Sequence, residues 1–302
     1  MRLSRTLPFL LLLASATLTR AQSPAQAAFD AALAQARAGE LDSARAGVQH
    51  ALALDPKLAK AHKLLGDLEQ RSGNEEAALA AYKQSELLDP NDARLYISRS
   101  ALRISKGLHK TAIKDCERAI ELDPADPDGY YNRACALYLG GNVEGARRDA
   151  EKAVKLKPDH ADALYLSGVA KGELYQEDAG LDDIEAALKL KPTIPGGLMS
   201  AAVLLYEAER YEEAITRFGE VLATDTSEKA AAHYYRGDCY YHLDGLQGQR
   251  CAGRQGRHLH PEELLRYGPA KDPEEAGEEA PEEHDRVLIV RRWPEVHRFP
   301  YG

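Results

Sequence analysis

Five prolines, Pro56, Pro90, Pro124, Pro158 and Pro192, stand 34 residues apart, each preceded by Asp or Lys. Small residues keep the same interval: Gly39, Gly73, Gly107 and Gly141 in one column, Ala44, Ala78, Ala112 and Ala146 in another. A fixed period of this length marks copies of one supersecondary unit, stacked because a single copy cannot bury its own apolar face. Such chains bind more readily than they catalyse, since each unit contacts only its neighbours and the array offers long surfaces.

The unit between Ala93 and Asp126 explains the period physically. An apolar stripe at Tyr96, Ala101 and Leu102 is followed by Lys106-Gly107, then by a second stripe at Ala112, Ile113, Cys116, Ala119, Ile120 and Leu122. Spacings of three and four residues predict two amphipathic helices. Gly107 falls where the first should stop, because glycine reaches positive φ at little steric cost. Asp123-Pro124 ends the second, since proline disfavours a helical conformation at the residue before it. The recurring alanines let the helices of one hairpin approach closely.

At these residues the pattern resembles the tetratricopeptide repeat, with units beginning near residues 25, 59, 93, 127, 161, 195 and 230, the last incomplete. The match is close at Gly66, Ala78, Tyr82 and Pro90, and at Tyr130, Ala134, Ala146, Ala153 and Pro158. The resemblance implies an all-α fold, a right-handed α-solenoid of stacked helix-turn-helix repeats over residues 25–243. The chain departs from the family pattern at Gly180 in place of alanine, at Tyr175 in place of the turn glycine, and at Thr226 in place of proline. Unit five is therefore expected to form a looser hairpin.

In this family the first helices of the units line a concave groove that takes a protein or peptide partner. Positions five and twelve of each unit share one stripe. They supply Lys63, Ile97, Tyr131, Tyr165, Met199 and Tyr234, and then Ile104, Tyr138, Tyr206 and Tyr241, as candidate groove residues. Aromatic side chains combine large buriable area with a polar tip, which suits peptide recognition; the alternative is packing against neighbouring helices. Members that grip a chaperone's C-terminal carboxylate need a specific Lys, Asn and Arg set. The nearest window has Lys63 but Asp67, then Ser98, Asp128 and Asn132, and an aspartate there repels a carboxylate. No chaperone carboxylate-clamp ligand is expected.

The ends read differently. Arg2 and Arg5, an apolar run from Leu7 to Ala14, and Thr19-Arg20-Ala21 have the layout of a secretory signal peptide, residues 1–21. The apolar run is shorter than the roughly 20 residues a membrane span needs, so no membrane insertion is expected after cleavage. Export to a bacterial periplasm or exterior is expected, with the eukaryotic secretory lumen as the alternative. After Leu243 the repeat gives way to the turn Asp244-Gly245-Leu246, then to text rich in Gly, Arg and Glu. Residues 244–302 read as a disordered acidic tail or as the product of a shifted reading frame near Gln247 to Gln249.

A net charge of −9 disfavours nucleic acid, which requires a basic patch. No phosphate loop, GxSxG or HExxH is present, and His62, His109 and His160 fall at different phases of the repeat. Neither a cofactor nor a metal is expected; Cys251, His258 and His260 lack a fourth zinc ligand. Cys116 and Cys135 are expected as buried free thiols, with a bridge between them as the alternative in an oxidising compartment. The expected function is a non-catalytic interaction scaffold. The alternative is a non-catalytic subunit of a larger envelope enzyme or secretion complex, acting through its convex and end surfaces.

Overall fold

A computed structural model describes residues 22–224 and 227–255. Among the described residues there are thirteen α-helices and no strand. They belong to two compact units, Met1–Leu88 and Asp89–Gly302. The segment 1–21, where the signal peptide is expected, lies outside the described residues, as does 256–302.

The first unit holds two helical hairpins, α1 (Pro24–Arg37) with α2 (Leu41–Leu54) and α3 (Ala59–Arg71) with α4 (Glu75–Leu88). Helix α1 starts on Ser23, whose hydroxyl accepts the Gln26 N–H, with Pro24 at the first helical position. The core is built from Phe29, Ala32, Val48, Leu64 and Leu68. Gly66 leaves room for the Tyr82 ring, which lies 2.5 Å from where a Cβ would sit. The buried Tyr82 hydroxyl donates to Asp67 at 2.9 Å and Gln70 at 2.8 Å. Polar tip and apolar ring are thus both satisfied.

The second unit holds four more hairpins: α5 (Ala93–Ser105) with α6 (His109–Leu122), α7 (Pro127–Leu139) with α8 (Val143–Leu156), α9 (Ala161–Glu173) with α10 (Glu177–Leu190), and α11 (Gly197–Glu207) with α12 (Tyr211–Ala223). Asp92 and Asp126 cap α5 and α7 by accepting the N–H two residues on. Gly107 and Gly141 turn from first to second helix with φ of 70° and 83°. The equivalent turns of the last two hairpins use Tyr175 and Glu209, at φ of 58° and 57°. Side-chain-bearing residues in this left-handed region cost roughly 1–2 kcal/mol each.

The hairpin of unit five is not loose. A Cβ on Gly180 would stand 2.7 Å from the Gly168 carbonyl oxygen, and one on Gly168 would stand 2.6 Å from that of Gly180. Helices α9 and α10 cross so closely that glycine is needed on both, which is why the family's alanine is replaced.

Helix α13 (Lys229–Gln255) also differs from the sequence expectation. The turn at Asp244-Gly245-Leu246 does not form, and the backbone stays helical to Gln255. Lone glycines inside a helix cost only about 1 kcal/mol each and do not by themselves end it. Residues 244–255 are thus helical rather than an irregular tail. Among the described residues no helix is long and apolar enough to cross a membrane.

Cys116, Cys135 and Cys239 are free and buried. Burial pushes the Cys116 thiol up to about 12 and raises that of Cys135 well above its usual value. Neither thiol supplies the thiolate from which exchange begins.

Candidate functional site

The candidate groove stripe is mostly interior. Ile97, Ile104, Tyr131, Tyr138, Tyr165 and Met199 are each no more than 9% exposed. The cause is the next first helix. The Asn132 amide donates to the Ile97 carbonyl at 3.1 Å, the Tyr131 ring lies 4.8 Å from that of His160, and the Tyr165 and Ser200 hydroxyls are 2.9 Å apart. The Tyr138 hydroxyl donates to Glu173. These side chains interlock helices and do not form a free aromatic groove.

The remaining stripe residues have other surroundings. Lys63, in the first unit, is half-buried and paired with Asp67 at 2.7 Å. Tyr206 is partly buried and donates to Asp238. Tyr234 and Tyr241 are 40% and 77% exposed, because among the described residues no first helix follows α13.

A cleft of about 820 Å³ opens instead beside the turns of the second unit's last elements. Its apolar floor is Val169, Ile184 and Leu204, all buried. Among the described residues five carboxylates, Glu173, Glu177, Glu207, Glu209 and Asp238, stand around it, and no lysine or arginine lines it. The nearby cations are committed elsewhere. Lys171 pairs with Asp183 at 2.6 Å and Glu151 at 3.5 Å, and Arg210 with Asp178 at 3.1 Å and Glu213 at 2.8 Å.

One wall is aromatic. The Tyr211 and His242 rings stack 4.9 Å apart and within 3° of parallel, and Tyr206 meets Tyr211 edge-on at 5.9 Å. Tyr175, 88% exposed, stands at the rim. Among the described residues both non-glycine residues with left-handed backbone, Tyr175 and Glu209, line the cleft. Backbone strain of this kind concentrates where function holds it in place.

Glu207 lies at the mouth. Although the residue is exposed, the cleft walls withdraw water from its carboxylate, and Glu177 and Glu173 add like charge, so its pKa is pushed up to about 7. The carboxylates are spread around the rim: among the described residues no group of three or more ligands could hold a metal ion. A smaller cleft of about 380 Å³ contains Arg133, whose guanidinium is already paired with Asp149 at 2.6 Å.

Sequence reasoning missed the larger cleft although its signal was present. Glu173 and Glu207 are 34 residues apart, as are Tyr175 and Glu209. Read as columns, they mark two adjacent units whose turns depart from glycine in the same way.

Family models described as tetratricopeptide repeat match residues 63–127, 127–160 and 199–252, between them half of the chain. The chain belongs to the tetratricopeptide-repeat family. No curated protein sequence matches it. Among solved structures it is similar to PilW, a widely conserved type IV pilus biogenesis factor, with a TM-score of 0.61, 14% identity, and 68% of this chain and 94% of that one covered. PilF of Pseudomonas aeruginosa gives 0.54, 18%, and 69% and 96%. The APC/C hetero-tetramer Cut9–Hcn1 gives 0.62, 18%, and 71% and 42%. At these identities the likeness is one of fold: an all-α tetratricopeptide-type solenoid.

Proposed function

We propose that this chain is a non-catalytic scaffold that holds a segment of a protein partner in the cleft beside α9, α11 and α13. The observation that carries this reading is the cleft itself: its volume lies in the range of about 300–1,000 Å³ typical of ligand sites, and apolar floor and charged rim come together there. The expected concave stripe is a weaker candidate, because its side chains are occupied in holding helices together. Export, read from residues 1–21, is part of the proposal, and N-terminal sequencing of the mature protein tests it.

A second reading, a subunit of a larger envelope assembly, draws on the exposed Tyr234, Tyr240 and Tyr241 of α13. The two readings separate by photocrosslinking. The full chain carrying Tyr175→p-benzoylphenylalanine is irradiated in the cells that make it, beside chains carrying the same substitution at Tyr241 and at the exposed Leu87. The cleft reading expects one recurrent partner segment crosslinked from position 175. Adducts from position 241 alone favour the assembly reading, and equal adducts from all three positions overturn both.

A further inference from the structure

We infer that the occupant of the cleft is a cationic segment, one that places a lysine or arginine side chain among Glu173, Glu177 and Glu207, with its hydrocarbon stem beside the Tyr206 and His242 rings. This rests on the cleft reading above and adds the chemistry of the ligand.

The first argument is charge. Among the described residues five carboxylates line the cleft and no lysine or arginine balances them, while Lys171 and Arg210 are held by other acids. The titratable groups that share the cleft with Glu207 are Glu173 from α9, Tyr175 from the turn after it, Glu177 from α10, Tyr206 from α11, Glu209 from the next turn, Tyr211 from α12, and Asp238 and His242 from α13. His242 is the one group among them able to carry positive charge, and it lies 3.5 Å from Asp238. The cleft therefore presents a net negative field to whatever enters, and an anionic or neutral polar segment gains nothing from it.

The second argument is shape. A metal ion would need oxygen ligands converging on one point at about 2.0–2.6 Å, and no such group exists among the described residues. Carboxylates set round a cleft with an aromatic wall suit a cation carried on a hydrocarbon stem. Lysine and arginine bury the stem along apolar surface and keep the charged head among acceptors. The rings of Tyr206, Tyr211 and His242 form one wall, and aromatic rings attract cations within about 6 Å.

The test selects phage-displayed random dodecapeptides on the full chain, then titrates the selected sequences, as labelled synthetic peptides, by fluorescence anisotropy. Proteins compared are the parent, Glu173→Gln with Glu207→Gln, and a surface control, Glu40→Gln with Glu121→Gln, which changes charge equally at exposed residues that line neither cleft. Selected peptides should carry Lys or Arg and crosslink at Tyr175→p-benzoylphenylalanine. They should lose at least tenfold in affinity for the cleft variant and less than twofold for the control. Replacing the peptide's lysine by norleucine, or arginine by citrulline, should cost as much, a readout independent of how the variant folds. Peptides that crosslink at position 175 but are neutral or acidic, or that bind the cleft variant unchanged, overturn the cationic inference and leave the cleft reading standing. Cationic peptides that respond equally to both variants and do not crosslink, or no selected sequence at all, overturn both.

Discussion

Arg99 and Asp115 form a buried two-pronged ion pair across one hairpin, guanidinium Nε and Nη2 donating to the two carboxylate oxygens at 3.0 and 2.8 Å. Arg103 joins the same carboxylate at 2.6 Å. One unit on, Arg133 and Asp149 repeat the geometry at 2.6 and 2.9 Å. In the next, Ser167 and Lys171 share Asp183, each at 2.6 Å. An acidic column on the second helices thus answers a donor column on the first.

Removing one partner of such a pair leaves an uncompensated buried charge, which costs about 3–5 kcal/mol. Asp115→Ala should lower the free energy of urea unfolding by that measure. Arg99→Met and Arg103→Met combined with Asp115→Leu remove all three charges and should recover most of the loss. A triple variant as unstable as Asp115→Ala alone would show that the cluster acts through packing.

Glycine substitutions should have opposite signs at two positions. Gly180→Ala pushes a Cβ to 2.7 Å from the Gly168 carbonyl, so the helices must part, at roughly 1–3 kcal/mol for overpacking. Gly219, inside α12, has nothing within 4 Å of the added carbon, and Gly219→Ala should gain up to about 1 kcal/mol of helix propensity. Thermal melts of the two variants check this directly. Equal shifts would contradict the close crossing.

The helical hairpins were legible because 34-residue spacing, turn glycines and terminal prolines all express local backbone chemistry. The role of the stripe was not. Ile97, Tyr131 and Tyr165 fit a groove as well as they fit an interlock, and only the position of the next helix, with Asn132, His160 and Ser200 on it, decides between them. The cleft was hidden for a related reason. Its carboxylates come from α9, α10, α11, a turn and α13, so no single stretch of sequence announces them. Gly180 was misread because a family average cannot tell a missing alanine from a crossing too tight for one.

The left-handed turns should be improvable at a cost to binding. Tyr175→Gly and Glu209→Gly relieve residues held at φ of 58° and 57°. Relief of roughly 1–2 kcal/mol is offset in part by the greater freedom of glycine in the unfolded chain. Each variant should therefore melt slightly higher than the parent. If the cleft is the binding site, Tyr175→Gly should also weaken partner binding by about 1 kcal/mol or more, the scale of an aromatic contact. A variant that is both less stable and fully competent would refute the link between strain and site.

Glu207 gives a prediction in pH. Its folded pKa is raised to about 7 from an ordinary 4.5, so between these values the folded state binds more protons than the unfolded. Stability then falls as pH rises through this window. Below about 4.5 the carboxyl is protonated in both states and the penalty vanishes. Above about 7 it is fully present. Glu207→Gln removes the charge and keeps the shape, so the variant should match the parent near pH 4 and melt above it at pH 8. Because the residue is exposed at the mouth of the cleft, solvent screens much of the effect, and the expected difference is small but fixed in sign. Melting curves from pH 4 to pH 8 measure it. A variant less stable than the parent at pH 8 would mean that Glu207 supports the fold, and that its neighbours are not crowding it.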